Sequence, residues 1–388
     1  MVADIAILGA GPSGLLLANI LQINKIDYIV FEREESSSSI GQGGTLDIHD
    51  TTGQLALQEA GLLDQFEATA RYDAQRFAVV DQNGSELCNY DNTGTKGRPE
   101  IDRKDLRSLL LHSVPAGRIR WGHRVKQVRR EHDKTTSVLL EDGSVETGFR
   151  LVVGADGTWS KARELVTPAK PHYSGFCYLQ STIAPENELY DWISSKAGKG
   201  MFLGMGSGKQ IVAQNLGDRS YNVYVGLRMP ESWIRPSSDI ELRDSLLSNE
   251  FADWHWDLQN MISNCESFHV WRLWTMLPSE VSWKSTPGVA LIGDAAHAST
   301  PFVGEGVNQA MTDSLQLGRE IVRCGVEHLD EAVAAYEQIM FPRAQDFIQR
   351  CEESGKFMFA EDSPRGFQEM LESYKQGSPL ATDGEEQT

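Results

Sequence analysis

The sequence predicts an α/β protein, and three observations carry that expectation. The chain opens on a short apolar run, a glycine-rich turn and a second apolar run of helical length. Its middle is a series of short strand-like runs punctuated by Gly, Ser and Asp. Near residue 290 the opening pattern returns, followed by a mainly helical end. Parallel strands at the two ends of the chain, with an antiparallel sheet between them, follow from that order.

The opening run is Ile5-Ala6-Ile7-Leu8, then Gly9-Ala10-Gly11-Pro12-Ser13-Gly14, then Leu15-Leu16-Leu17-Ala18-Asn19-Ile20-Leu21. A strand cannot continue through these glycines, and the apolar residues beyond them fit a helix packed on a sheet. Gly9 allows the tight turn, Gly11 lets backbone approach a pyrophosphate, and Gly14 lets helix and strand pack closely, with the helix N-terminus aimed at phosphates. A GxGxxG alone is a weak signal. It gains weight from Tyr28-Ile29-Val30-Phe31, a second strand ending at Glu32 and Arg33, about 20 residues on, where a ribose-binding carboxylate is expected.

Composition narrows the classes of function. The 388 residues allow one large domain or two sharing a core. A net charge of -19 argues against nucleic acid or anionic membrane as a partner. No apolar run reaches the ~18 residues of a spanning helix, and the start lacks a signal peptide's charged region, so a soluble, cytoplasmic protein is expected. Five cysteines (Cys88, Cys177, Cys265, Cys324, Cys351) are scattered and never spaced as CxxC. Nine histidines show no HxxxH or HExxH pairing. Disulfide, zinc and thiol-redox chemistry therefore have no support, and no metal is expected.

Along the chain, Ser36-Ser37-Ser38-Ser39 reads as a loop leading into Gly41-Gln42-Gly43-Gly44-Thr45-Leu46-Asp47-Ile48-His49. The glycines imply close approach, either to another strand or to a flat ligand. Leu55, Leu57, Ala60, Leu62 and Leu63 suggest a short helix, and Phe77 to Cys88 a hairpin about Asn83-Gly84. Asp102 is a candidate N-cap for a helix carrying Arg103 and Arg107. Residues 119–153 read as a β-meander, closing on Leu151-Val152-Val153-Gly154-Ala155-Asp156-Gly157. From 168 to about 278 the texture is that of an antiparallel sheet. Val289-Ala290-Leu291-Ile292 is then a buried strand, followed by Gly293-Asp294-Ala295-Ala296-His297. Residues 311–359 read as helical, with Pro342 expected to end or kink one helix. His297 reads as a packing and hydrogen-bonding residue rather than a base, since no partner acid is placed by the sequence.

Three separated motifs coincide: Gly9 to Gly14 with Glu32-Arg33; Gly154-Ala155-Asp156-Gly157 with Ser160 and Arg163; and Gly293 to His297 with Pro301-Phe302-Val303-Gly304-Glu305-Gly306-Val307-Asn308. Together, over nearly the whole chain, they resemble the single-component FAD-dependent aromatic hydroxylases, the class A flavoprotein monooxygenases of the p-hydroxybenzoate hydroxylase fold. Within that class, Gly43 to His49 and Ile101-Asp102-Arg103-Lys104-Asp105-Leu106-Arg107 look most like the tetracycline-inactivating monooxygenases. The resemblance implies an α/β fold in which a Rossmann-like FAD-binding domain (1–75, 97–167 and 281–328) is interleaved with an antiparallel-sheet substrate domain (76–96 and 168–280). A C-terminal helical segment (329–375) and a disordered tail (376–388) complete the expectation.

The resemblance also implies roles. Gly9, Gly11, Ser13, Gly14, Glu32, Arg33, Arg103, Asp156 and Asp294 bind FAD, and Asp47 lies beside it. Gly304, Gly306, Val307 and Asn308 belong to the cofactor site, with Pro301, Gly304 and Asn308 near the flavin ring. The loop 301–308 opens a helix, so its N–H groups and dipole suit negative charge on a reduced flavin. Gln180, Tyr224, Pro301 and Met358 are the substrate candidates. The class implies NADPH or NADH as transient donor, and O2 activated as a flavin C4a-hydroperoxide. The expected partner is an aromatic or phenolic small molecule, acted on by a monomer or weak dimer. Because the cofactor carries the chemistry, no catalytic triad is expected.

Two departures stand out. Ile40 occupies the position where the tetracycline-inactivating enzymes carry an arginine associated with NADPH, and Tyr224 and Met201 stand where they carry a histidine and an arginine. Donor and substrate stay open on this ground. Two rival readings remain: a flavin-dependent halogenase, suggested by Trp254-His255-Trp256 but opposed by Asp257-Leu258 where Ile-Pro is needed, and a flavoprotein that sequesters a small molecule without turnover.

Overall fold

The first strand, Ile5–Leu8, is buried at every position, as a parallel strand covered on both faces must be. The computed structural model describes residues 3–37, 43–91 and 97–375; the expectations placed on Ile40, Gly41, Gln42 and the 376–388 tail lie outside the described residues. The chain divides into two units, each assembled from three stretches: Met1–Tyr72, Thr95–Ser174 and Trp274–Glu352 in the first, and Asp73–Gly94, Gly175–Leu273 and Glu353–Thr388 in the second. The fold is the mixed α/β one expected, with several sheets and a long helix near the C-terminus.

The first unit is built on a five-stranded sheet ordered Val289–Leu291, Leu151–Gly154, Ile5–Leu8, Tyr28–Phe31 and Ile119–Arg120. All its pairings are parallel. Helix Pro12–Ile23 buries every residue from Ser13 to Leu21, because it lies between this sheet and helix Gly306–Cys324, where Gly318 admits the Ile20 side chain. The meander appears as an antiparallel sheet of Val125–Arg130, Thr136–Leu140 and Val145–Phe149. A two-stranded ribbon pairs Thr45–Asp47 with Glu100–Asp102.

Three local expectations change. Asp102 precedes helix Arg103–His112 with extended backbone but makes no side-chain cap; its carboxylate instead takes Arg71 at 2.5 Å, a charged partner that outweighs a neutral N–H. The single helix expected near Leu55 is two short ones, Leu55–Glu59 and Leu63–Glu67, separated at Gly61, whose φ of +70° ends the first. Pro342 does not end its helix, which runs on as Leu329–Met358. The lost N–H bond is offset by packing on both sides of it, with Met340 and Ala344 fully buried and Phe341 edge-on to Trp283 at 4.8 Å.

The second unit carries a seven-stranded sheet: His269–Thr275, His172–Ile183, Tyr221–Arg228, Lys209–Asn215, Met201–Gly206, Arg76–Asp81 and Glu86–Asp91. The hairpin about Asn83-Gly84 is its edge. One pairing departs from the antiparallel expectation: Met201–Gly206 runs parallel to Arg76–Asp81, because the stretch between them is a long crossover. Alternation sorts the side chains. Leu179, Val223, Val225, Ile211, Ala213 and Phe202 face a core with Leu258, Met261 and Trp254, and the helices that cover them, Tyr190–Ala197 and Trp256–Ser263, were not expected within this sheet region.

Candidate functional site

Three turns far apart in sequence, and the end of a fourth strand, meet at the carboxyl ends of neighbouring strands. Leu8 pairs with Gly154, Gly154 with Leu291, and Leu8 with Phe31. The turns after Leu8, Gly154 and Leu291, and the Glu32 after Phe31, therefore line one edge of a parallel sheet, where open α/β sheets take their ligands.

In the first turn, Gly9 has φ +106°, and a Cβ on it would lie 2.4 Å from the Ala155 carbonyl oxygen. A Cβ on Gly14 would lie 2.1 Å from the Gly9 oxygen, so both glycines serve contacts within the protein. Gly11 is different: nothing lies within 4 Å of a Cβ built there. Helix Pro12–Ile23 begins at this open side with no side-chain cap and with proline in its first turn, so its leading N–H groups are available to an anion. A pyrophosphate-bearing dinucleotide fits this cradle.

Glu32 is buried and braces the cradle, its Oε2 accepting the Ala10 N–H at 2.6 Å and its Oε1 that of Glu34 at 3.0 Å. Carboxylate oxygens keep lone pairs for a ribose hydroxyl beyond these bonds. Arg107, one turn beyond Arg103, is a residue the sequence reading passed over. It is buried, donates from Nε to the Ala10 oxygen at 2.9 Å, and pairs with Glu34 at 2.7 Å. Arg103 is exposed, its stem lying against Gly43 and its N–H bonded to the Gly44 oxygen at 3.0 Å. Arg33 is also exposed.

The second turn is held by its own polar groups. Asp156 accepts the Lys161 N–H at 2.7 Å through Oδ2, and its Oδ1 is buried; burial pushes this carboxyl up from its ordinary range. Buried Arg163 ties the second turn to the third, donating to the carbonyls of Thr158, Asp294 and Ala295 at 2.7–2.8 Å. Asp294 itself is exposed.

The third turn rests on a buried charge cluster that the sequence reading missed. Gly293, at φ +59° and next to the buried Ser13, donates its N–H to Asp313 Oδ2 at 2.7 Å. The same oxygen takes His297 Nε2 at 2.6 Å, and Oδ1 takes Arg343 at 2.5 Å. Asp313 is wholly buried. Burial alone would push its carboxyl up, but His297 and Arg343 outweigh that and hold it at about 2. His297 therefore has an acid partner after all, on a helix that the sequence reading did not bring to it.

The loop after this turn folds back through a bond from the Gly304 N–H to the Pro301 oxygen at 3.0 Å. Pro301, Gly304 and Gly306 are exposed, Val307 packs against the core, and Asn308 is buried. Asn308 is a clamp: its Nδ2 donates to the Asp47 oxygen and its Oδ1 accepts the His49 N–H, both at 2.9 Å. Asp47 Oδ2 meets His49 Nε2 at 2.9 Å, and its Oδ1 lies 3.6 Å from a Cβ built on Gly304. The loop thus joins the strand that carries Asp47.

The substrate candidates Gln180, Tyr224 and Met358 belong to the second unit. Gln180 and Tyr224 are cross-strand partners and so share a face. Trp271 Nε1 donates to Gln180 Oε1 at 2.7 Å, and Asn222 Nδ2 lies 3.2 Å from the Tyr224 hydroxyl. The Met358 oxygen accepts from Gln210 at 3.2 Å, and Gln210 is aligned with Gly226, two residues along the strand from Tyr224. Trp254 of the halogenase-like stretch is buried against Phe251 at 4.8 Å and serves the core.

Fold and turns define a class, the FAD-dependent monooxygenases of the aromatic hydroxylase type. The family model described as "FAD binding domain" matches residues 2–351, and the chain belongs to that family. It is 32% identical to "Monooxygenase penA" of Penicillium thymicola over 88% of this chain and 92% of that protein. Klebsiella pneumoniae HpxO complexed with FAD and uric acid shares the fold, with TM-score 0.80, 22% identity, and coverage of 96% of this chain and 95% of that one. Tetracycline destructase Tet(55) does so with TM-score 0.75, 18% identity, and coverage of 100% and 99%. Among the described residues no helix is long and apolar enough to cross a membrane.

Proposed function

We propose that this protein is an NAD(P)H-consuming monooxygenase that places one oxygen atom from O2 on a polycyclic aromatic or phenolic small molecule. The observation that carries the reading is the convergence of the turns after Leu8, Gly154 and Leu291 on one sheet edge, beside an uncapped helix N-terminus. Bound FAD would supply the redox and oxygen chemistry.

The chain's own residues bind, orient and exclude water. The Gly9–Gly14 turn and its helix hold the pyrophosphate, Glu32 takes the adenosine ribose, and Arg107 keeps Glu34 and the turn in place. Arg103, Asp156 and Asp294 complete the cofactor site, with Asp313 fixing the turn from which Asp294 projects. The loop 301–306 and the first turn of helix Gly306–Cys324 would lie beside the flavin ring, where the helix N-terminus would favour negative charge on it. Asn308 acts through position, since both ends of its amide are engaged with Asp47 and His49. Gln180 and Tyr224 present polar groups to the substrate from the sheet of the second unit, and Met358 adds apolar contact there.

Two relatives support a ring-bearing substrate: HpxO is complexed with uric acid, and Tet(55) is a tetracycline destructase. A panel of polycyclic phenols, tetracyclines and indole alkaloids tests the reading through NADPH and NADH oxidation, with mass spectrometry of products. Donor oxidation that accelerates with one compound and yields that compound plus one oxygen atom supports it. Tight binding with no flavin reduction by either donor contradicts it.

A further inference from the structure

The loop proposed to face the flavin ring carries one ionisable residue, Glu305, between two glycines. A carboxylate there needs a physical account. Its charge opposes the negative charge that flavin reduction creates, and Gly304, at φ +71°, and Gly306 give the segment little conformational preference of its own. Glu305 is nevertheless held in one place. Its side chain is 12% exposed, and Arg350 grips it with both ends of the guanidinium, Nη1 to Oε1 at 2.7 Å and Nη2 to Oε2 at 2.8 Å. Gln309, one turn into the following helix, donates to Oε2 at 3.1 Å. Arg350 is itself oriented by Asp346, one turn earlier on the long helix, at 2.8 Å.

A planar, two-bond fork between arginine and carboxylate fixes direction as well as distance. It links the loop to a helix thirty residues long, whose rigidity the loop lacks. Charge follows the same geometry. Burial would push the Glu305 carboxyl up, yet Arg350 outweighs it and the carboxyl is held below its ordinary range, so Glu305 is ionised and its charge is cancelled locally by the guanidinium. Removing Arg350 would leave the Glu305 charge uncompensated in a half-buried place, where screening by water is weak, and removing Glu305 would leave Arg350 with Asp346 alone.

We infer that Arg350 is a positioning residue for the flavin loop, and that the Glu305–Arg350 pair sets the local charge, and hence the redox potential, of the cofactor held there. This rests on the proposed placement of the loop against the ring. Neither residue touches the reacting atoms in this account. Their effect passes through the loop's position and through the field at the flavin.

The test uses the FAD-loaded protein, with the flavin midpoint potential measured by dye equilibration during enzymatic or photochemical reduction at pH 8, where an unpaired Glu305 stays ionised. It needs neither NAD(P)H nor a substrate, so a protein that fails the oxygenation assay can still pass or fail here. R350Q leaves a bare carboxylate, and its potential is expected to fall below wild type. E305Q leaves the guanidinium with Asp346 as its remaining carboxylate, and with one negative charge removed its potential should rise. The E305Q/R350Q double variant should return to the wild-type value. R350K keeps the charge and loses the fork, so its potential should stay near wild type while FAD dissociates about tenfold more readily, as expected for one charge-assisted bond. If R350Q retains no FAD, the rise in E305Q and its cancellation in the double variant still decide the matter. Equal potentials in E305Q, R350Q and wild type, or shifts of the same sign in both single variants, overturn the inference. A merely structural pair would lower thermal stability in all of these variants without that sign reversal.

Discussion

The two units hold their functional residues in different ways. In the first, the work falls largely to backbone: Gly9 and Gly14 have room for no side chain, and Gly11 faces open space. Buried charges then brace the backbone from behind, Arg107 behind the Ala10 carbonyl and Asp313 behind the Gly293 N–H. In the second, the candidate groups are side chains on a regular sheet, selected by alternation and register, with Gln180 opposite Tyr224. A site made of backbone tolerates almost no change at its glycines, whereas a site made of side chains on a sheet can be altered residue by residue without losing the fold. Binding a large common cofactor suits the first arrangement, and choosing among substrates suits the second.

Substitutions can sharpen or break this contrast. The largest effect is expected from Gly14→Ala. The new methyl would meet the Gly9 oxygen at 2.1 Å, so turn and helix must separate, and the purified protein should retain under a hundredth of the wild-type flavin, read from the ratio of flavin to protein absorbance. Retention near wild type would show that this turn does not hold the cofactor.

Asp313→Asn comes next, because it leaves Arg343 and His297 facing a neutral amide in a buried place; a loss of about 3–5 kcal/mol is expected by denaturant unfolding at pH 7. The folded carboxyl lies at about 2, below its unfolded value. Its contribution is therefore present above about pH 4 and is lost as pH falls towards 2. The gap between wild type and variant should narrow over that interval, and a constant gap would remove the charge from the explanation.

In the second unit, Gln180→Ala and Tyr224→Phe should leave flavin content and midpoint potential unchanged. Each should raise KM for an accepted substrate about tenfold, the loss of one hydrogen bond. Loss of flavin from either variant would erase the division between the units.

The smallest effect concerns Glu100, which accepts from Thr45 at 2.6 Å and is the cross-strand partner of Asp47. Burial pushes its carboxyl up to about 7, with the Asp47 charge adding to the rise and the Thr45 bond and Arg71 opposing it. Stability tied to its protonated form is full below about pH 4.5 and declines as pH rises through 7. Glu100→Gln should therefore gain about 1–2 kcal/mol over wild type at pH 8 and little at pH 5.

The same contrast explains what could be read from sequence. The Gly9, Asp156 and Gly293 turns were legible because backbone constraint restricts residue type, and short apolar runs before each turn marked the strands. Pairings that depend on register were not. Asp313 is an acid on a helix until the fold brings Gly293, His297 and Arg343 to it, and Arg107 is an arginine on a helix until the fold brings Ala10 and Glu34 to it. The helices Tyr190–Ala197 and Trp256–Ser263 are too short for periodicity to separate from turns. Pro342 does not end its helix, because there the local rule yields to packing around Phe341. Asp102 occupied the expected N-cap position, but its side chain answered Arg71, a residue 31 positions away.

Oxygen transfer is the central claim, and isotope labelling tests it most directly. The FAD-loaded protein, NADPH or NADH and an accepted aromatic substrate are incubated under labelled O2, and the product is weighed by mass spectrometry while donor consumption is followed. The account predicts a product carrying one labelled oxygen atom, formed in proportion to the donor oxidised. Donor oxidation that yields only hydrogen peroxide across the panel, or a product whose added oxygen comes from water, would contradict it.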